Sequence, residues 1–228
     1  MSRPTERLGG LRCLIARPAT DECKVVVAIL HGYGMRPEDI EPFANSLQVP
    51  ATFYLPEAPL EADPTGRAWW PIDQERRAAS MAVGPRDLAF EHPPGAEAAR
   101  ALLAGMLEEL RRRHRWAPLV LVGFSQGGML ACDLVLREGP GVAALGLLSA
   151  SRICFPEWQP LSSRLAGLPI LISHGTRDPD LSFQAGEALR DMCAAAGSAV
   201  TWVSFEGGHE IPLVVWRALR KLIRAAIE

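Results

Sequence analysis

The chain has 228 residues, of which 48% are hydrophobic and 22% are charged, and its formal net charge is −2. This length suits one domain spanning residues 1–228 with a sizeable core, and the composition excludes an intrinsically disordered chain. The small negative charge gives no electrostatic support for a nucleic-acid partner or an anionic membrane.

The first part of the chain is predicted to form three strands, followed by a long irregular segment. The strands lie at 11–16, 24–30 and 51–55, with a polar turn at 18–22. The run from Lys24 to Leu30 is almost continuously apolar, which is typical of a strand buried on both faces. Residues 56–94 then lack clear periodicity, apart from a short helix predicted at 75–83. A segment of this length without regular elements is often a lid or a pocket wall.

Strands and helices alternate through the rest of the chain. Strands are predicted at 119–122, 142–148, 169–173 and 199–205. Helices are predicted at 96–114, 129–137, 182–196 and 211–227. This alternation predicts an α/β protein whose central sheet is mostly parallel and is covered by helices on both faces.

The most informative motif follows the strand at 119–122. The run Gly123-Phe124-Ser125-Gln126-Gly127-Gly128 stands between that strand and a predicted helix, and Gly-x-Ser-x-Gly in this context is typical of a nucleophile elbow. Glycines on both sides of the serine remove clashes in a turn tight enough to strain the serine backbone. Alone, the motif is also compatible with a structural strand-to-helix turn. In an elbow, the Ser125 hydroxyl is presented at the top of the sheet.

Two later loops supply partners that would activate a serine hydroxyl, which needs a base and a group that orients the base. Both follow the carboxyl ends of strands, where ligand-facing groups lie in such sheets. His209 follows the strand at 199–205 and is the best placed of the five histidines. Asp178 is the preferred carboxylate, and Asp180 stays open as an alternative. Either aspartate could instead cap the helix that follows.

The remaining histidines are expected in other roles. His92 and His114 are interpreted as surface residues, and His174 as a residue that packs or hydrogen-bonds locally. His31 begins the turn His31-Gly32-Tyr33-Gly34, which directly follows the strand at 24–30. A tetrahedral intermediate needs donors for its oxyanion, and we expect the backbone N–H groups of Tyr33 and Gln126 to supply them. Taken alone, this run would be a plain glycine turn.

The irregular segment carries candidates for an acyl-binding wall. Trp69, Trp70, Pro71 and Ile72 are consecutive, and each tryptophan can bury a large apolar area. Core or lid packing explains these residues equally well.

Cysteine spacing and the absence of long apolar runs bear on metals and location. The five cysteines are widely spaced, and none forms a Cys-x-x-Cys pair of the kind that binds zinc. No apolar run is long enough to cross a bilayer, and residues 1–7 lack the apolar segment of a secretory signal. We therefore expect reduced thiols, no metal, no stable membrane insertion and a cytoplasmic location.

Taken together, these loops resemble the phospholipase/carboxylesterase group of α/β-hydrolases, which includes acyl-protein thioesterases. The matching segments are Leu30-His31-Gly32-x-Gly34, Arg67-Ala68-Trp69-Trp70-Pro71-Ile72, Gly123 to Gly128, His174-Gly175-x-x-Asp178-Pro179 and Gly208-His209. The resemblance extends from about Val25 to the C-terminus. It implies an α/β-hydrolase fold without a large cap domain, and a serine esterase that uses neither a metal nor a cofactor.

Carried over position by position, the resemblance supports Ser125, Asp178 and His209 as a catalytic triad. It also supports the amides of Tyr33 and Gln126 as oxyanion donors. Two segments depart from the group's pattern. Ser149-Ala150-Ser151 stands where a Ser-Gly pair is usual, and Asp180-Leu181-Ser182 stands where an apolar residue and proline are common.

The expected function is hydrolysis of a carboxylic ester or thioester of a small ester or acyl substrate through an acyl-enzyme. Two other interpretations stay open. One is a peptidase or lactone hydrolase that uses the same triad, and the other is a non-catalytic binding protein that kept the hydrolase fold. An apolar patch from residues 56–94 could mediate homodimerisation as easily as substrate access.

Overall fold

The computed structural model describes residues 4–16, 23–62, 64–139 and 141–228. The polar turn predicted at 18–22 therefore lies outside the described residues. Within them the strands are β1 (Thr5–Leu8), β2 (Leu11–Ala16), β3 (Val25–Leu30), β4 (Ala51–Pro56), β5 (Leu60–Ala62), β6 (Gly66–Ala68), β7 (Leu119–Phe124), β8 (Ala144–Leu148), β9 (Pro169–Gly175) and β10 (Ala199–Phe205).

Helices separate most of these strands from β3 onward. They are α1 (Pro37–Ser46), α2 (Gln74–Val83), α3 (Ala96–Arg113), α4 (Gln126–Glu138), α5 (Phe155–Trp158), α6 (Phe183–Ala195) and α7 (Leu213–Ala225), and a 3-10 helix spans Gln159–Leu165. None of the helices in the described ranges combines the length and the apolar character that crossing a bilayer requires.

Eight strands form the central sheet, in the order β1-β2-β4-β3-β7-β8-β9-β10. The pairs from β4 through β10 are parallel, whereas β1 and β2 add an antiparallel edge. Every residue of β3 and β7 is buried, as expected when helices cover both faces of a sheet. The predicted mostly parallel sheet is thus confirmed. Its parallel strands bring the loops after β3, β7, β9 and β10 to one edge.

Two apolar layers hold the helices to the sheet. On one face, Leu103 of α3 and Leu130 of α4 are fully buried in a cluster that also includes Leu189 of α6. On the other face, Ile40 of α1 packs in a cluster with Leu219 of α7. Burying each such side chain contributes about 1.5–3 kcal/mol, so the layers fix the strand ends that carry the site.

Several elements were not predicted. β1, α1, the β5–β6 hairpin, α5 and the 3-10 helix all lie in segments without a strong apolar period. Helix α1 contains Pro42, which in a sequence is typical of a helix break. Its other proline, Pro37, stands at the first helical position, where the missing N–H costs nothing. β4 includes Pro56 rather than stopping before it, and residues 56–94 contain the β5–β6 hairpin.

Candidate active site

Ser125 occupies a tight turn between β7 and α4. Its backbone has φ 53° and ψ −118°, a conformation that side-chain-bearing residues rarely adopt. The turn leaves no room on either side, because a Cβ at Gly127 would lie 2.6 Å from the carbonyl oxygen of His31, and one at Gly123 would collide with the Gly127 backbone. The Ser125 N–H donates to the Leu148 carbonyl at 2.8 Å. The predicted elbow geometry is therefore present.

A continuous hydrogen-bonded chain runs from Ser125 to a buried carboxylate. His209 Nε2 lies 2.8 Å from Ser125 Oγ, and His209 Nδ1 lies 2.6 Å from Asp178 Oδ2. Asp178 Oδ1 accepts the backbone N–H groups of Asp180 and Leu181, each at 2.9 Å. Since the carboxylate accepts from Nδ1–H, Nε2 is left free to accept the serine proton.

The protonation state of Asp178 follows from its surroundings. Burial alone raises the pKa of a carboxyl group, but the hydrogen bond from His209 and the amides of Leu181 and Asp180 together hold the pKa of Asp178 below its ordinary value. Asp178 is therefore an ionised acceptor beside His209.

Asp180, the alternative acid, faces two arginines instead. Its Oδ2 accepts from Arg77 Nη2 at 2.6 Å, and its Oδ1 accepts from Arg86 Nε at 3.1 Å and also from Arg86 Nη2. Burial opposes ionisation, yet the two guanidinium groups lower the pKa of Asp180. The structure brings Asp178, and not Asp180, to His209. Sequence spacing could not have identified either arginine as a partner of Asp180, because both are distant from it along the chain.

His174 packs locally, in agreement with the sequence. It is buried, and its Nε2 donates to the Leu181 carbonyl at 3.0 Å. Its Nδ1 has no hydrogen-bond partner among the described residues, and the Gly186 backbone packs against that ring atom. Burial lowers the pKa of His174, so the ring is neutral and holds the loop that carries Asp178.

The two amides predicted as oxyanion donors lie beside Ser125. A Cβ on Gly32 would lie 3.3 Å from the Ser125 Cβ, so the backbone before Tyr33 packs directly on the serine. Gln126 follows Ser125 as the first residue of α4. Within the described part of the chain, neither the Tyr33 N–H nor the Gln126 N–H donates a hydrogen bond. Both donors are available to a bound group.

Two hydrogen bonds to the Gly32 carbonyl fix the direction of the Tyr33 amide. The shorter comes from His31 Nδ1 at 2.8 Å and the longer from the Met35 N–H at 3.3 Å, and His31 Nε2 accepts the Ala58 N–H at 3.1 Å. The Gly32 carbonyl and the Tyr33 N–H belong to one planar peptide group and point in opposite directions. Burial lowers the pKa of His31 to about 4, which keeps Nε2 as an acceptor. The sequence indicated this turn as an oxyanion loop, but nothing in the sequence indicated that His31 orients it.

The Gln126 side chain has a structural role that the sequence did not indicate. Its Oε1 accepts the Trp69 N–H at 2.9 Å, and its Nε2 donates to the Trp70 carbonyl at 2.9 Å. The Trp69 indole N–H donates to the His31 carbonyl at 2.9 Å. The aromatic segment is thereby tied to both sides of the site.

A cavity of about 970 Å³ opens beside Ser125 and His209, at the upper end of the usual range for ligand sites. Trp70 and Ile72 line it. Trp69 does not, because only 1% of it is exposed and its indole points to His31. The structure thus places Trp70 and Ile72 in the wall, and Trp69 behind it.

Helix α2 forms another side of the cavity and contains no buried residue. Polar contacts join it to its neighbours. Arg77 pairs with Asp180, Arg76 lies 2.7 Å from Glu91, and Gln74 Nε2 donates to the Tyr33 hydroxyl at 2.7 Å. Part of the segment 56–94 therefore lies against the cavity, and its action as a lid or pocket wall stays a prediction.

Comparison with known proteins gives a consistent result. Residues 13–227 match the family described as Phospholipase/Carboxylesterase. Esterase PE8 is 25% identical, with a TM-score of 0.78 over 95% of this chain and 99% of that one. A carboxylesterase from Mesorhizobium loti is 21% identical, with a TM-score of 0.76 over 97% and 98% of the two chains. Acyl-protein thioesterase 2 from Zea mays is 19% identical, with a TM-score of 0.74 over 95% and 99%. No curated protein sequence matches the chain significantly.

Proposed function

Because the chain belongs to the phospholipase/carboxylesterase family and has the α/β-hydrolase fold of that family, we propose that it is a serine hydrolase that cleaves carboxylic esters or thioesters. The observation that carries this proposal is the chain of hydrogen bonds from Ser125 through His209 to Asp178. Two unused backbone donors and a large cavity lie beside that chain.

In the proposed first half-reaction, Ser125 Oγ attacks the acyl carbon while His209 Nε2 takes the hydroxyl proton. Asp178 stabilises the resulting imidazolium at Nδ1. The amides of Tyr33 and Gln126 donate to the oxyanion, and removing one such donor typically costs a factor of about 100 to 1000 in turnover. His209 then returns its proton to the leaving alcohol or thiol, and an acyl-enzyme remains.

In the second half-reaction, water attacks the acyl-enzyme and His209 again serves as the base. The tetrahedral intermediate collapses, the carboxylic acid leaves, and the Ser125 hydroxyl regains its proton. Trp70 and Ile72 are proposed to contact the acyl or leaving group, since both line the cavity. A small ester or acyl substrate, a cytoplasmic location and a homodimer stay predictions from the sequence.

The test uses initial rates on p-nitrophenyl esters graded from acetyl to palmitoyl. Ser125→Ala is expected to reduce turnover by about six orders of magnitude, to the background of the reagent, without changing the fold. Ser80→Ala is the matched control, because Ser80 lines the same cavity and has no part in the proposed mechanism. Lactone and peptide substrates in the same panel separate the alternative hydrolase activities.

A fluorophosphonate probe gives an independent readout. It should label the wild-type protein and Ser80→Ala at Ser125, and it should not label Ser125→Ala. Ester hydrolysis that persists in Ser125→Ala, or labelling at another residue, would contradict the proposal. No turnover and no labelling in the wild-type protein would instead favour a binding protein.

A further inference from the structure

Three metal-binding side chains converge outside the Ser125–His209–Asp178 chain. They are His92, Cys154 and Glu157, and one ligand atom from each lies within 4.8 Å of the others. His92 Nδ1 is 3.1 Å from a Glu157 carboxylate oxygen, Oε1. We propose that these three residues bind a zinc ion, with water in the fourth position.

The fold already holds the two segments that carry the ligands side by side. The Cys154 N–H donates to the Glu91 carbonyl at 3.0 Å, and the Phe155 N–H donates to the Ala89 carbonyl at 2.7 Å. The segment containing His92 is thus fixed beside the start of α5. Cys154 is 7% exposed and its sulfur lies 3.5 Å from the Glu91 carbonyl. Cys154 is therefore the least mobile of the three ligands, and backbone hydrogen bonds fix its position.

The distances suit zinc after a small side-chain adjustment. Zinc–ligand distances of about 2.0 to 2.3 Å in a tetrahedron place the ligand atoms about 3.5 Å from one another. The widest separation in the cluster is below 4.8 Å, so the exposed side chains of His92 and Glu157 need to move by only about 1 Å. Nitrogen, sulfur and carboxylate oxygen together form a ligand set that zinc accepts and that magnesium and calcium do not prefer.

Glu157 is oriented by groups behind it. The Arg137 guanidinium pairs with Glu157 Oε2, which leaves Oε1 directed at His92. Arg137 is in turn held by Asp133 at 2.7 Å, and Asp133 accepts the Trp158 indole N–H at 2.7 Å. Partners of this kind orient a metal-binding carboxylate. Arg137 and Arg100, which both pair with Asp133 at 2.7 Å, repel a cation, and the Glu157 carboxylate and the thiolate attract it directly.

Binding requires the Cys154 thiol to lose its proton to solvent as the zinc–sulfur bond forms. His92 binds through Nδ1 in its neutral form. His92 also lines the cavity beside Ser125, so the ion would sit in the cavity wall. A search for Cys-x-x-Cys pairs could not find this site, because its ligands come from two segments distant in sequence.

The experiment titrates untagged, chelator-treated full-length protein with Co²⁺ as a spectroscopic probe, followed by Zn²⁺. We expect one equivalent of Co²⁺ to give the visible bands of a tetrahedral site and a thiolate-to-cobalt charge-transfer band, and Zn²⁺ to remove both. His92→Gln and Glu157→Gln should weaken binding by at least about tenfold. Cys154→Ser should lose the charge-transfer band.

Cys23→Ser is the matched control, since Cys23 is a half-buried free thiol whose sulfur lies 3.4 Å from the Val25 carbonyl. It should bind Co²⁺ like the wild-type protein. His92 is exposed, so His92→Gln decides the question even if Cys154→Ser fails to fold. Absence of a one-equivalent tetrahedral spectrum, or full binding in His92→Gln, would overturn the proposal. Neither outcome depends on esterase activity.

Discussion

Asp178 and Asp180 lie two positions apart, yet their carboxylates bind different partners. Asp178 Oδ2 is 2.6 Å from His209 Nδ1, whereas Asp180 Oδ2 is 2.6 Å from Arg77 Nη2. The separation arises because Asp178 Oδ1 accepts the Asp180 N–H, so one aspartate closes the turn that carries the other. One loop thereby supplies both a partner for the histidine and an anchor for α2.

Substitution of each aspartate by asparagine should separate these two roles, the partner of His209 and the anchor of α2. Asp178→Asn should lower kcat by about 10⁴-fold, because an amide can stabilise the wrong His209 tautomer. Asp180→Asn should act mainly on KM, because it loosens Arg77 and Arg86 in the cavity wall. Steady-state kinetics on one ester measure both effects, with melting temperatures as the check on folding. Equal losses of kcat in the two variants would contradict this assignment.

Two substitutions at His31 test its action on the oxyanion loop. The asparagine amide nitrogen can replace Nδ1 as donor to the Gly32 carbonyl, whereas a glutamine oxygen can replace Nε2 as acceptor from Ala58. His31→Asn should keep most of kcat. His31→Gln should lose up to about 100-fold, with little change in KM, because only the longer Met35 bond then holds the Gly32 carbonyl and with it the direction of the Tyr33 N–H.

Stability cannot explain such a difference at His31, because it should change in the opposite order. His31→Asn leaves the buried Ala58 N–H without a partner, at about 1–3 kcal/mol, whereas in His31→Gln the Gly32 carbonyl keeps the Met35 N–H at 3.3 Å. Urea unfolding of both variants should therefore show His31→Asn to be the less stable one. A kcat for His31→Gln at or above that of His31→Asn would show that the Gly32 bond does not position the donor.

Gln126→Ala should lower the free energy of unfolding and change kcat little. The substitution leaves the buried Trp69 N–H and Trp70 carbonyl without the partners they have now, at about 1–3 kcal/mol for each group. The backbone N–H of residue 126 remains. Gln74→Ala is the matched control, since the Gln74 side chain is exposed and its loss should change stability by less than about 0.5 kcal/mol. Urea unfolding and ester kinetics on both variants decide the matter.

Buried neutral histidines make the protein less stable as the pH falls below neutrality. The unfolded His31 imidazole takes a proton as the pH falls through about 6.5, whereas the folded one, with a pKa of about 4, does not. The unfolded state therefore binds more protons between these values, and this residue alone should remove about 2 kcal/mol between pH 7 and pH 5. His174 acts in the same direction, because its pKa is also lowered.

The pH effect is measured as the free energy of unfolding in urea at pH 7 and pH 5. His31→Asn should flatten the dependence, because asparagine does not titrate. Asp178 and Asp180 affect a different range. Their pKa values are lowered, so their stabilisation is present above the ordinary carboxyl value and is lost at more acidic pH. An unchanged slope in His31→Asn would contradict the neutral state of His31.

The sequence predicted the central strands β3 and β7 well because each is an apolar run that is buried throughout. β2 (Leu11–Ala16) and the edge strand β10 (Ala199–Phe205) have the predicted bounds, although no residue of β10 is buried. Helix α1 was missed because Pro42 interrupts a short pattern in which only Pro37, Ile40 and Ala44 are buried. Burial alone does not decide which elements are predictable, since α2 was predicted although it contains no buried residue. A proline inside a short helix is what hides α1.

The sequence predicted which loops form the site, but not the directions in which their side chains point. Ser125 and His209 follow from motif and order, because parallel strands bring their ends together. Asp178 and Asp180 stand in the same loop, and the hydrogen bonds that distinguish them come from Arg77 and His209, distant in sequence. Trp69 and Trp70 are adjacent and both buried, yet only Trp70 lines the cavity, and the Gln126 side chain holds the backbone of both. Sequence spacing carries no information on such contacts.

The backbone conformation of Ser125 has an evolutionary consequence. A side chain at φ 53° and ψ −118° costs about 1–3 kcal/mol, and glycine would relieve that strain. A lineage selected only for heat tolerance would therefore gain by replacing this serine, whereas one selected for turnover must keep it. Libraries passed through thermal selection without an activity screen should become depleted of serine at position 125.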